Sequence, residues 1–292
     1  MPELPEVETI ARGVDRRLRG DSILSAWFSS YKEPFKTPPD EMQATLPGLR
    51  IARVRRVGKH IVADLAEKSV PKSVPKSAKK SARKAAPPAR TRAATEQQLL
   101  VHLGMTGRLL IAAPEVPLPP HTHAVLSLAS GRELRFVDPR RFGRIGLVSG
   151  FTGPGREPLT ISQDDFASLF RGRKLAIKAA LLNQSLLHGV GNIYADESLF
   201  RAGIRPARVA GRLSRERLNR LHEALRAVLL EAIRAGGSSV SDYVDADGVA
   251  GFFQIQHRVY LRTGEPCLVC GTPIRRIVLA GRGTHFCPYC QK

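Results

Sequence analysis

Four cysteines constrain the end of this chain more tightly than any other feature. Cys267-x2-Cys270 is followed, after sixteen residues, by Cys287-x2-Cys290, so every thiol falls within the last 26 residues. Two thiolate pairs on tight turns close a tetrahedron around Zn²⁺, and an all-sulfur set describes a closed structural site, not a catalytic one. Iron or two disulfides satisfy the same count. A secreted disulfide framework, however, spreads its cysteines along the chain, whereas crowding at one end fits a reducing compartment. Between the pairs, residues 274–279 and 281–286 read as two strands of a hairpin, with Arg282 at its turn. A guanidinium fixed there reaches a phosphate; an isolated arginine is otherwise an ordinary solvated charge.

Charge points the same way. Lys and Arg number 46 against 26 Asp and Glu, a net of +20. Residues 67–98 hold nine basic and two acidic side chains, a net of +7, so +13 remains outside that segment. Basic side chains displace condensed counterions from a phosphate backbone, which makes a polyanion the expected partner. No early window has the apolar core of a signal peptide and no run reaches 18 apolar residues, so neither secretion nor a membrane is expected.

The 292 residues suffice for two or three compact units. Residues 4–19 set Leu4, Val7, Ile10, Ala11, Val14 and Leu18 on one helical stripe, with Pro5 in the first turn. Short β-like runs follow at 51–57, 61–65, 99–103, 124–128 and 133–137, a spacing that predicts a sandwich or barrel-like domain. Residues 70–94, rich in Pro, Ser and Lys without an apolar face, read as a disordered basic excursion between two strands. Residues 151–160 read as a linker. Helical patterns then run over 163–171, 176–182, 193–201 and 214–235, the last with Ser214 as N-cap and Gly236-Gly237 as its stop. Between helices, His188-Gly189-Val190-Gly191-Asn192 permits a tight turn with close backbone approach. It is either an amide cradle for a phosphate, braced by Asn192, or a plain interhelical turn.

The other end of the chain carries candidate chemistry. Removal of Met1 leaves Pro2 as a secondary amine beside the Glu3 carboxylate. Such an amine attacks an aldehyde-like carbon to give an iminium. A helix starting at residue 4 directs its positive end at that amine and favours the free base. The plain alternative is a polar lead into a helix.

These segments together closely resemble bacterial formamidopyrimidine-DNA glycosylase. The matching stretches are PELPEVET at 2–9, GKH at 58–60, HLGMTGRL at 102–109, DPRRFG at 138–143 and GVGNIYADE at 189–197. GEPCLVCGTPI and GRGTHFCPYCQ match at the end. They cover the chain in order, except for the 70–94 insert, which departs from the compact family pattern. The endonuclease VIII branch usually has glycine at the position of Leu4, so Leu4 and DPRRFG favour the oxidised-purine branch over that oxidised-pyrimidine sister. A catalytically silent, zinc-containing DNA-binding protein fits the charge and the cysteines but leaves Pro2, Glu3 and Lys59 idle.

The resemblance implies a multidomain α+β fold. An N-terminal β-sandwich flanked by helices (1–150) precedes a helix–two-turn–helix domain (151–237). A lesion-capping loop and a zinc-ribbon-like β-hairpin finger (238–292) complete it. It implies a DNA glycosylase and abasic-site lyase, with one structural Zn²⁺ on Cys267, Cys270, Cys287 and Cys290 and no organic cofactor. Pro2 is the implied nucleophile, Glu3 the proton relay, and Lys59 the β-lyase lysine; Arg282 binds phosphate and assists δ-elimination. Met105, Arg140 and Phe142 match residues that fill the void left by the everted nucleotide, although an apolar Met or Phe is ordinarily core. His121, Arg140 and Lys174 match DNA contacts, and Lys178 and Asn192 would clamp the lesion strand. The resemblance implies damaged duplex DNA as partner, and the expected setting is a monomer at the nucleoid in the bacterial cytoplasm.

Overall fold

The N-terminal stripe forms the helix its spacing predicts. In the computed structural model, which describes residues 1–67, 97–238, 246 and 251–292, α1 spans Leu4–Leu18 and buries all six stripe residues. The 70–94 insert and most of the 237–252 loop lie outside the described residues. Each such apolar side chain removed from water contributes about 1.5–3 kcal/mol, so α1 is fixed by its packing.

Two antiparallel four-stranded sheets follow. In chain order the elements are β1 (Ile23–Phe28), α2 (Pro39–Thr45), β2 (Arg50–Val57), β3 (His60–Ala66), β4 (Gln97–His102), β5 (Arg108–Ala112), β6 (Thr122–Leu128), β7 (Glu133–Val137) and β8 (Arg144–Ser149). One sheet runs β1-β6-β7-β5 and the other β2-β3-β4-β8. Ile51, Ile61 and Val101 from the second sheet share a core with Leu109, Leu126 and Phe136 from the first, and with Ile10 and Val14 of α1. This is the sandwich expected from the run spacing. β3 and β4 pair directly, with Leu65 opposite Gln97, so the 70–94 segment interrupts what is otherwise a hairpin.

The helical unit contains α3 (Gln163–Ser168), α4 (Ile177–Leu181), α5 (Asn192–Arg201) and α6 (Arg215–Arg234). α3 ends three residues short of the predicted 171 because Gly172, at φ +69°, follows a frayed last turn. α6 starts as predicted: Ser214 Oγ accepts from the Arg217 N–H at 3.3 Å. Its end is also as predicted, with Gly236 at φ +76° and the Gly237 N–H on the Ala232 carbonyl. Leu4 belongs to this second core and not to the sandwich. The first turn of α1 is therefore plugged into the helical unit.

The C-terminal hairpin pairs β9 (Arg275–Leu279) with β10 (Arg282–Phe286) across a two-residue Ala280-Gly281 turn, both at positive φ. It packs on α5 and shares a small core with Phe200 and Val259. A further tie crosses from the sandwich to the linker. Arg56 of β2 pairs with Glu8 at 2.7 Å and with Glu157 at 2.8 Å. Burial works against the Glu157 carboxylate, but hydrogen bonds from His188 and Arg56 outweigh it and hold its pKa at about 2.

Candidate active site and nucleic-acid interface

Pro2 and Glu3 are buried where the three units meet. The lead into α1 supplies them, with Glu3 as its N-cap, and the turn before α5 receives them. The Leu4 N–H donates to the Gly189 carbonyl at 3.0 Å. A Cβ on Gly189 would press on Leu4 at 3.0 Å, and its φ of +95° also favours glycine. Gly191 has an ordinary extended backbone, φ −129°, so its reason is purely steric: any Cβ there would overlap the Glu3 carboxylate carbon. The carboxylate sits on the N-terminus of α5, where Oε1 accepts the Ile193 N–H at 3.2 Å.

The glycine turn is thus an anion cradle, but its close approach is spent on Glu3 and Leu4. Asn192 likewise turns inward, its Nδ2 donating to the Gly283 carbonyl at 3.0 Å.

Burial dominates the electrostatics of Glu3. Desolvation drives its pKa up to about 7 against the opposing pull of Lys59, with Glu6 adding to the rise. Glu6 is itself buried. Its Oε2 accepts the Glu3 N–H at 2.8 Å, and its Oε1 accepts from the Tyr194 hydroxyl and from the Ser238 N–H. Burial raises the Glu6 pKa as well.

Lys59 stands in the two-residue turn between β2 and β3, beside Gly58 at φ +61°. Burial lowers its pKa; Glu3 opposes that shift and Arg282 adds to it. Arg282 opens β10, immediately after the hairpin turn. A cavity of about 450 Å³ is lined by Met1, Glu3, Lys59, Met105, Asn192 and Arg282, together with His102 and Tyr260. Residues from all three units therefore converge on one cleft. The His102 Nδ1 accepts the Gly104 N–H at 3.1 Å, and burial, with cationic neighbours, lowers its pKa to about 4, so the ring is neutral at physiological pH.

Of the predicted wedge residues, Met105 lines this cleft, and Arg140 and Phe142 lie outside the group lining it. Met105 and Phe142 are 42% and 49% exposed, the opposite of core, and the Arg140 guanidinium covers the Phe142 ring at 4.7 Å. His121 and Lys174 are exposed, outside the group lining the cleft. Lys178, like Asn192, is held within the protein. It is wholly buried, its Nζ held by Asp196 at 2.7 Å and by the Gly283 carbonyl and Thr284 hydroxyl at 2.9 Å. In the DNA-free fold it ties α4 to the hairpin.

The four cysteine Sγ atoms lie within 4.8 Å of one another, with Cys270 to Cys287 at 3.5 Å and Cys267 to Cys290 at 4.0 Å. A tetrahedral ZnS4 centre has sulfur–sulfur edges of about 3.8 Å, so the quartet fits one structural zinc ion.

Sequence reasoning missed Glu6, Tyr194, His102 and Tyr260. Glu6 had a signal, the Glu3-x-x-Glu6 spacing of a reciprocal helix cap. Tyr194 had none, since its role arises from a contact 188 residues away.

Residues 1–145 match the formamidopyrimidine-DNA glycosylase N-terminal domain, 154–244 the formamidopyrimidine-DNA glycosylase H2TH domain, and 264–292 the zinc finger found in FPG and IleRS. The formamidopyrimidine-DNA glycosylase of Solibacter usitatus is 46% identical over 296 residues, covering 100% of both chains. Among solved structures, a Lactococcus lactis FPG mutant in complex with a Fapy-dG containing DNA has a TM-score of 0.84 at 31% identity, covering 100% of each chain. The wild-type Lactococcus lactis FPG with an oxidized pyrimidine containing DNA has a TM-score of 0.82 at 31% identity, again covering 100% of each. Matched from end to end in domains, sequence and fold, this chain belongs to the formamidopyrimidine-DNA glycosylase family.

Proposed function

We propose that this chain is a bifunctional DNA glycosylase and abasic-site lyase that removes oxidised purines, 8-oxoguanine and formamidopyrimidines, from duplex DNA. One observation carries the reading. The Glu3 carboxyl, one residue from Pro2 along the chain and raised by burial to a pKa of about 7, lines one cleft with Met1, Lys59 and Arg282.

With Met1 attached, the Pro2 nitrogen is an amide and has no nucleophilic lone pair. Met1 is 47% exposed in the cleft, accessible to trimming. The freed amine attacks C1′ of the everted nucleotide, and the C1′–base bond breaks with its electron pair leaving on the base. Protonated Glu3 donates to the sugar ring oxygen, the ring opens, and the iminium forms. Loss of the C2′ proton then expels the 3′ phosphate. A second elimination expels the 5′ phosphate, and water releases the sugar from Pro2. Lys59 and Arg282 hold the flanking phosphates and stabilise the charge on each leaving group. Zn²⁺ on the four cysteines supplies no chemistry; it fixes the hairpin that carries Arg282. We place this activity on nucleoid DNA in the cytoplasm, with the chain acting as a monomer; among the described residues no helix is long and apolar enough to cross a membrane.

Borohydride trapping tests the mechanism, on duplexes carrying 8-oxoguanine opposite cytosine beside duplexes with an oxidised pyrimidine. The expected adduct maps to Pro2 and forms fastest with 8-oxoguanine. Faster trapping on the pyrimidine moves the chain to the sister specificity. DNA binding without any adduct, from protein confirmed to start at Pro2, leaves a non-catalytic zinc-containing binder.

A further inference from the structure

Asp138 is wholly buried, and its carboxylate reaches across two loops. Oδ1 accepts from the Thr106 hydroxyl at 2.5 Å and from the Arg140 backbone N–H at 3.3 Å, while Oδ2 accepts the Gly143 N–H at 2.7 Å. The Arg140 bond alone would make Asp138 an ordinary turn residue. The Thr106 and Gly143 bonds go further, to the residue after Met105 and the residue after Phe142.

The Asp138 main chain extends the same hub. Its N–H donates to the His121 carbonyl at 3.0 Å, and its carbonyl accepts the Arg141 N–H at 3.2 Å. That carbonyl also lies 3.0 Å from His123 Nε2. The two loops touch directly as well: a Cβ on Gly104 would lie 2.5 Å from the Gly143 nitrogen and 2.6 Å from the Phe142 carbonyl carbon. His121 and Arg141 hold left-handed backbones, φ 65° and 55°. Residues with side chains keep that conformation where their surroundings over-determine it, most often at functional sites.

Building on the glycosylase reading above, we propose that Asp138 is the positioning residue that assembles Met105, Arg140 and Phe142 into a single wedge before DNA is bound. Three side chains on two untied loops would each lose freedom on entering the duplex. A wedge tied in advance has already lost it, and its three parts fill the void together. Asp138 touches neither DNA nor the reacting atoms in this arrangement; it acts through the two loops.

The test compares Asp138→Asn and Thr106→Val with wild type. Thr106→Val removes one inter-loop bond while keeping the buried carboxylate and the turn, so it separates wedge assembly from folding. Three quantities are read: single-turnover excision of 8-oxoguanine opposite cytosine in a duplex, the same opposite adenine, and cleavage at an abasic site in single-stranded DNA. Duplex excision is expected to fall about ten- to hundredfold, the worth of one hydrogen bond to a charged group. The preference for cytosine over adenine is expected to shrink, because Arg140, which by the family resemblance donates to the cytosine left without its partner, loses its fixed aim. Single-strand cleavage should stay within about twofold of wild type, because no paired base has to be displaced there. Parallel loss on duplex and single strand in Thr106→Val, or no loss on either, overturns the assignment while wild-type activity stands. A wild type that excises nothing removes the proposed function and the wedge with it.

Discussion

Replacing Glu3 with glutamine should stabilise the protein in a pH-dependent way. Burial holds the Glu3 carboxyl at a pKa of about 7 against an ordinary 4.5. Ionising it inside the fold therefore costs roughly 3 kcal/mol relative to the unfolded chain. Because the folded pKa lies above the unfolded one, the stabilisation belongs to the protonated form. It is complete below the unfolded value and is lost as pH rises through about 7. The amide of Glu3→Gln has the same shape and never ionises. Urea denaturation of both proteins should give a variant more stable than wild type by under about 1 kcal/mol at pH 5 and by about 3 kcal/mol at pH 8.5. Wild type and variant are compared with Met1 retained. Repeating the series on chains beginning at Pro2 should shrink the gap, because a protonated amine beside Glu3 favours its charged form. The variant should also lose base excision, since its amide has no proton to deliver. An advantage equal at pH 5 and pH 8.5 would refute burial as the cause of the shift.

Three shorter expectations follow from the same geometry. Gly191→Ala places a methyl group where the Glu3 carboxylate lies; excision should fall far more than DNA affinity, measured by single-turnover kinetics and filter binding, and a normal excision rate would show that Glu3 need not sit there. Lys178→Met leaves Asp196 buried with no Lys or Arg partner, only the His285 ring and backbone N–H beside it; denaturation should show a loss of about 3–5 kcal/mol, and unchanged stability would mean that the Lys178 ammonium serves DNA alone. Stripping zinc with a chelator should unfold the hairpin and displace Arg282, because metal-binding energy in such sites is folding energy; an apo protein with unchanged circular dichroism and full strand cleavage would contradict a structural role.

Elements whose information is local were legible in the sequence. The six-residue stripe of α1, the Ser214 cap, the Gly236-Gly237 stop and the cysteine spacing each act within a few residues, and each appears where expected. α2, β1, β5 and β8 carry weaker patterns and were not individually placed. β1 buries Ile23, Ala26 and Phe28 in an alternation broken by a register shift between Ile23 and Ser25, so period-two reading loses it. Leu4 shows a subtler limit. Its place on the α1 stripe is evident, but nothing in the stripe says that the first residue packs into a different core from the rest.

The candidate site was legible as a set of residues more than as an arrangement of them. A glycine turn at a helix N-terminus specifies an anion with close backbone approach, and residues 189–192 supply one. Whether that anion is a phosphate of the partner or a carboxylate of the chain itself depends on what the fold delivers there, and it delivers Glu3. The same ambiguity attends Lys178, a cation that pairs with Asp196 in the DNA-free fold. In both cases the chemical demand read from sequence is met internally, and the consequence runs toward catalysis. The α5 N-terminus lowers the cost of ionising Glu3 without cancelling the burial that raises it. A carboxyl balanced in this way near neutral pH can hold a proton when substrate arrives and release it when the sugar ring opens. An external phosphate on the same amides would leave only Lys59 to oppose burial, and a carboxyl holding its proton more firmly would donate more readily than it relayed.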